Sequence, residues 1–138
     1  MQIAIPKENR PGELRVAASP ETVKKFITMG FDVIVEKDAG AGASMADAAY
    51  VEAGASLAAD GAEACAAADI VMKVRAPMQR PDGTQEVDLL REGSTLIAFL
   101  APDQSDELLA ALASKGVSAV AMEKIPRITR AQKMDALS

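Results

Sequence analysis

Six short apolar runs recur along this chain, and most are followed by a helix-like stretch that ends at glycine. They are Gln2–Ile5, Phe31–Glu36, Ala55–Ala58, Asp69–Val74, Thr95–Leu100 and Val117–Met122. Runs of this length, rich in Val and Ile, read as buried strands. The stretches between them carry helix start and stop signals. Ser19 suits an N-cap, Pro20 the first helical position and Glu21 the positive helix start, while Gly30 marks the stop. Strand alternating with helix predicts an α/β fold: a mostly parallel open sheet with helices on both faces, Rossmann-like or flavodoxin-like. Ligands of such sheets sit outside the carboxyl ends of the strands.

Composition narrows the chemistry. With 138 residues the chain can bury one core, and with 49% apolar but only 3% aromatic residues that core is packed from small aliphatics. Net charge is −5 with no long basic run, which argues against nucleic acid as a partner. No eighteen-residue apolar stretch exists to insert directly in a membrane, and the N-terminal residues lack the pattern of a signal peptide. The single cysteine, Cys65, reads as a small buried residue, so no disulfide and no cysteine-based metal site is expected. Histidine is absent, which excludes a Ser-His-Asp triad or a histidine proton relay.

Asp38-Ala-Gly-Ala-Gly-Ala-Ser44 follows a strand and resembles a phosphate loop, but it matches neither G-x-G-x-x-G nor a Walker sequence. The expected reading is a turn, with Ser44 capping a helix to about Ala53. The chain therefore lacks a dinucleotide fingerprint. Lys73 stands inside the apolar strand Ile70-Val-Met-Lys-Val74. A buried ammonium is costly, so its head must escape to water or pair.

The C-terminal residues show a different pattern. After Pro126, Ile128, Ala131, Met134 and Leu137 form an apolar row, and Gln132, Asp135 and Ser138 form a polar row beside it. Successive residues three apart drift by roughly 60° on a helix surface, so an amide, a carboxylate and a hydroxyl face one space. Arg127 adds a fork of donors at the start of the segment. Taken alone, this is equally the pattern of an amphipathic helix with a solvated face.

Pro126-Arg-Ile-Thr-Arg-Ala-Gln-Lys-Met-Asp-Ala-Leu-Ser138 closely resembles the nicotinamide-facing segment of the NAD(H)-binding alpha subunit of proton-translocating transhydrogenases. Leu14-Arg-Val-Ala-Ala-Ser-Pro20, Met72-Lys-Val-Arg-Ala-Pro77 and Ile3-Ala-Ile-Pro-Lys-Glu8 resemble motifs shared by alanine dehydrogenases and those subunits. The resemblance spans 1–138 and implies an N-terminal domain, with the NAD-binding Rossmann domain following beyond Ser138. It implies that Arg127, Gln132, Asp135 and Ser138 hold the nicotinamide and its ribose, with Gln132 and Asp135 acting at the reacting ring. NAD(H) is then the cofactor here and NADP(H) the cofactor of a partner subunit, with no metal. The implied partners are a second copy of the subunit and the NADP(H)-binding and membrane subunits. The implied place is the cytoplasmic side of the bacterial inner membrane.

In alanine dehydrogenases the residues matching Arg15 and Lys73 clamp a substrate carboxylate. Here they are either a retained ancestral carboxylate site or ion-pair partners that fix the cleft. Alanine dehydrogenases also use a histidine, which this chain lacks. Two alternatives stay open: the substrate domain of an alanine-dehydrogenase-like amino-acid dehydrogenase, and a non-catalytic flavodoxin-like module.

Overall fold

A computed structural model describes residues 1–81, 83–99 and 106–122. Six strands alternate with five helices there. They are β1 (Gln2–Ile5), α1 (Pro20–Thr28), β2 (Asp32–Glu36), α2 (Asp47–Glu52), β3 (Ser56–Ala58), α3 (Gly61–Cys65), β4 (Ile70–Arg75), α4 (Glu86–Leu89), β5 (Thr95–Phe99), α5 (Asp106–Lys115) and β6 (Ser118–Ala121). The strands form one sheet in the order β3-β2-β1-β4-β5-β6, with every neighbouring pair parallel. This order is that of the doubly wound Rossmann sheet and differs from the flavodoxin order. The chain reverses direction across the sheet between β1 and β4, where a crevice opens at the strands' carboxyl ends.

Strand alternation divides the core in two. Ile3, Ile5, Val33 and Val35 pack with Val23 and Phe26 of α1 and Tyr50 of α2. Ala4, Val71, Leu96 and Ala98 face the other side, where Ala64 and Cys65 of α3, Leu90 and Leu112 of α5 close over them. Over β1, β2 and β4 both faces are covered, which is why those strands read as near-continuous apolar runs, whereas Phe99 of β5 and Val120 of β6 stay exposed. Small residues dominate, as the composition requires. Tyr50 is the largest fully buried side chain, and its hydroxyl donates to the Ala18 carbonyl at 2.8 Å. Burial first, and the nearby Asp47 second, push its phenol up to about 12.

Helix α1 begins as the sequence indicates. The Ser19 hydroxyl accepts from Thr22 N–H at 3.2 Å, and Pro20 opens the helix. Gly30 follows the C-cap Met29 with φ 99°, a left-handed turn that glycine adopts without a Cβ clash.

Ser44 is a correction. It does not cap α2; it closes a short 3₁₀ turn over Ala41–Ala43 in a left-handed conformation, φ 61°. Helix α2 starts later, at Asp47, with Ala46 at the N-cap position and no side-chain cap. The Asp47 carboxylate instead accepts from Asp38 N–H at 2.9 Å, so it ties the turn together. The glycines of this turn serve packing. A Cβ on Gly40 would lie 2.7 Å from the Met45 carbonyl oxygen and from the Tyr50 ring. Most helix and strand ends otherwise fall within a few residues of the sequence reading; α3 stops at Cys65, short of Ala68.

Candidate functional site

The crevice at the switch point is lined by the residues that end β1, β2 and β4. Strand β1 is hydrogen-bonded to β4 only through Ile3↔Ile70 and Ala4↔Val71. Beyond them β4 runs on without a strand on that side. Its open N–H groups need acceptors, and the Glu8 carboxylate supplies them. Glu8 Oε2 accepts from Val74 N–H at 3.0 Å, and Oε1 accepts from Arg75 N–H at 3.0 Å. Oε1 also lies 3.2 Å from Lys73 Nζ.

Four further groups complete a cluster. Glu36, the last residue of β2, accepts from Lys7 N–H at 2.9 Å. Arg80 reaches Glu36 with both terminal nitrogens, at 3.1 and 3.0 Å, and Glu86 with Nε at 3.2 Å. Glu86, at the start of α4, accepts from Met78 N–H at 2.9 Å and lies 3.5 Å from Lys73 Nζ. The Asn9 amide donates to it at 3.5 Å. The side chains of Glu8, Lys73 and Glu86 are 2%, 3% and 4% exposed, so these charges are withdrawn from bulk water. Three carboxylates face two cations, and the backbone N–H groups of Lys7, Val74, Arg75 and Met78 offset the excess negative charge. Burial alone would lower the Arg80 pKa, but the hydrogen bonds and charge of Glu36, then Glu86, overcome it and raise it. The guanidinium lies flat over Gly61, where an added Cβ would meet three of its atoms at 2.7 Å.

Beside this buried cluster is a second one, in which exposed arginines cover a Glu13 side chain that is itself 5% exposed. The Arg15 side chain is 65% exposed and grips Glu13 with Nε at 2.9 Å and Nη2 at 2.8 Å. Arg75 approaches the same carboxylate at 3.1 Å. Hydrogen bonding from Arg15 is the main cause holding the Glu13 carboxyl down at about 2.

The structure thus places the two flagged cations in different settings. Lys73 pairs rather than escaping to water, and Arg15 stays in solvent, its guanidinium lying on the covered Glu13 carboxylate. They share no partner among the described residues. They are linked through Arg75, whose N–H binds Glu8 and whose side chain binds Glu13. Arg127, Gln132, Asp135 and Ser138 lie outside the described residues. Glu8, Glu13, Glu36, Arg80 and Glu86 were not singled out by the sequence reading. The signal available for Glu8 and Glu36 was a carboxylate at the carboxyl end of an apolar strand. Arg80 and Glu86 carried none, because loop folding brings them in.

What this arrangement offers is a rigid, charge-balanced crevice floor rather than reactive chemistry. Cys65, at its edge, is 2% exposed, and burial pushes its thiol up to about 11, so it is no nucleophile at neutral pH. Among the described residues no group of three or more His, Cys, Asp or Glu is arranged to hold a metal ion, and no helix is long and apolar enough to cross a membrane.

A doubly wound parallel sheet with an ion-paired switch-point crevice defines a Rossmann-like domain. The family model of the alanine dehydrogenase/PNT N-terminal domain matches residues 4–138, and the chain belongs to that family. It is 51% identical over 138 residues to the first part of the NAD(P) transhydrogenase alpha subunit of Rhodospirillum rubrum, covering 100% of this chain and 36% of that protein. The crystal structure of transhydrogenase from Sinorhizobium meliloti superposes with a TM-score of 0.89 at 42% identity, over 99% of this chain and 39% of that one. An L-alanine dehydrogenase superposes with a TM-score of 0.83 at 33% identity, over 94% and 34%. The chain therefore spans little more than a third of these relatives.

Proposed function

We propose that this chain is the N-terminal domain of the NAD(H)-binding alpha subunit of a proton-translocating transhydrogenase. Its role there is to position the nicotinamide for hydride transfer between NAD(H) and NADP(H). The observation that carries this reading is the 51% identity to a transhydrogenase subunit across the whole chain, against 37% to an alanine dehydrogenase over 91% of it. The absence of histidine agrees, because hydride passing between two nicotinamides needs no local acid or base.

In this reading Arg127, Gln132, Asp135 and Ser138 hold the dihydronicotinamide and its ribose, and the rate gain comes from approach and orientation. The pyrophosphate of NAD(H) is gripped by the following nucleotide domain. NADP(H) is carried by a partner subunit, the alpha subunit pairs with a second copy of itself, and proton passage belongs to membrane subunits. The assembly places the domain on the cytoplasmic side of the bacterial inner membrane. The chain alone is then inactive and binds NADH weakly.

The test is Gln132→Asn in the full-length protein. Hydride transfer is expected to fall by roughly tenfold to a hundredfold, as for a misplaced reacting ring, with NADH affinity nearly kept. An unchanged rate would leave only a non-catalytic module, and turnover of alanine or pyruvate with nucleotide would move the protein to the amino-acid dehydrogenases.

A further inference from the structure

Strand alternation leaves one face of β5 and β6 open. Thr95, Ile97 and Phe99 of β5 point to one side of the sheet, and the register sets Ser118 beside Thr95 and Val120 beside Ile97. Met72 of β4, paired with Ile97, continues the same side. Helices α1 and α2 lie on this side but pack over β1 and β2, with Met72 at the margin of their cluster. Helices α3 and α5 lie on the opposite side, over Leu96 and Ala98. Phe99 is therefore 38% and Val120 39% exposed, and none of the side chains on this face carries a charge. Contiguous apolar surface of this kind marks a place where something docks.

The sequence supplies a cover. Residues 123–138 follow directly on the edge strand β6, which borders the open face. After Pro126 they fall into three rows: Ile128, Ala131, Met134 and Leu137; Arg127, Arg130 and Lys133; and Thr129, Gln132, Asp135 and Ser138. Only the first row can lie on an uncharged surface without stranding polar groups. The lengths agree. Residues 127–138 wound as a helix run about 18 Å, against roughly 13–17 Å for strands of four or five residues. Residues 123–126 reach at most roughly 13–14 Å, which clears the roughly 10 Å between packed layers. The opposite face is already occupied, so a chain leaving β6 has this side free.

We propose that residues 127–138 of this chain dock back on the open face of β5 and β6, with their apolar row against Ile97, Phe99 and Val120. The three-row pattern then has a physical purpose: one row anchors the segment and the two polar rows stay outside. The proposal concerns what holds the segment, and it stands whatever the polar rows bind.

Thiol reactivity in the full-length protein tests it. Cys65 is buried, with its thiol pushed up to about 11, so it reacts only on unfolding. Val120→Cys is alkylated with a maleimide and read by peptide mass spectrometry. Leu57→Cys, on β3 at the other edge of the sheet and also 39% exposed, is the open reference. Val120→Cys is expected to react at least roughly tenfold more slowly than Leu57→Cys. Adding Ile128→Asp and Met134→Asp should restore the rate while Cys65 stays unreactive. Equal rates at the outset mean an open face and overturn the proposal. Protection that the two aspartates do not lift, or that dilution removes, assigns the cover to another part of the protein or to a second copy, and overturns it too. A short bifunctional maleimide gives a readout free of destabilising charges. Val120→Cys combined with Met134→Cys should crosslink within one chain, and no crosslink, or one between chains only, overturns the docking.

Discussion

Lys73 Nζ and Glu8 Oε1 lie 3.2 Å apart with both side chains nearly inaccessible to water, and they join strands that have stopped pairing with each other. The pair spans 65 positions in sequence, so forming it depends on the sheet being assembled. It works with the two backbone N–H groups that Glu8 also accepts, which makes Glu8 the surrogate for a missing strand edge.

Glu8→Ala should therefore be among the most damaging single changes on this edge. It leaves a buried ammonium short of a partner and two β4 N–H groups unpaired. Breaking one side of a buried ion pair costs about 3–5 kcal/mol. Urea unfolding followed by circular dichroism should show a loss of that size, and a loss below about 1 kcal/mol would mean that water reaches the pair, as it does in surface pairs.

Glu13 makes an acid-side prediction. Its carboxyl is held at about 2 against an ordinary 4.5, so the folded state releases this proton more readily than the unfolded chain. The contribution is fully present above pH 4.5, shrinks as pH falls and is gone once pH passes below about 2. Unfolding measured across that window should show a steeper acid loss in the parent than in Glu13→Gln, which has no proton to take up. Equal slopes would remove Glu13 from the account.

Tyr50 makes the alkaline counterpart. The phenol is raised to about 12 from 10.0, so its contribution is intact below pH 10 and is lost as pH rises through about 12. Tyr50→Phe removes the hydroxyl and with it the 2.8 Å bond to Ala18. The buried carbonyl left behind costs about 1–3 kcal/mol at neutral pH. The variant should also lose the part of the alkaline transition that Tyr50 causes, read as far-ultraviolet circular dichroism against pH.

Gly61→Ala separates helix propensity from packing. In an open helix the change would gain up to about 1 kcal/mol. Here the new methyl meets the Arg80 guanidinium at 2.7 Å, and that group is held by Glu36 and Glu86. A net loss of about 1–2 kcal/mol is expected, in the range of other overpacked sites. In the Arg80→Ala background the same change should be neutral or stabilising. A double-mutant cycle of thermal melts reads the coupling.

Local sequence was enough for the alternation of strands and helices, the Ser19-Pro20 helix start, the Gly30 stop and the parallel sheet, because each rests on contacts within a few residues or on a periodic apolar pattern. It also marked Lys73 as a charge that had to find a partner, since an ammonium in an apolar strand is out of place wherever the strand lies. Which strand lies beside which, and hence where the crevice opens, came only with the assembled sheet. So did the partners. Glu8, Glu36, Arg80 and Glu86 meet Lys73 or one another across up to 65 intervening steps, because strands that part at the switch point leave backbone and side-chain charges that must be satisfied from elsewhere. Ser44 shows the same limit from the other side: a good local capping residue lost its place when Asp47 and the packing of Gly40 on Tyr50 set the turn. Periodicity and local propensity act over one turn or one strand, whereas the balance of buried charge is settled over the whole fold.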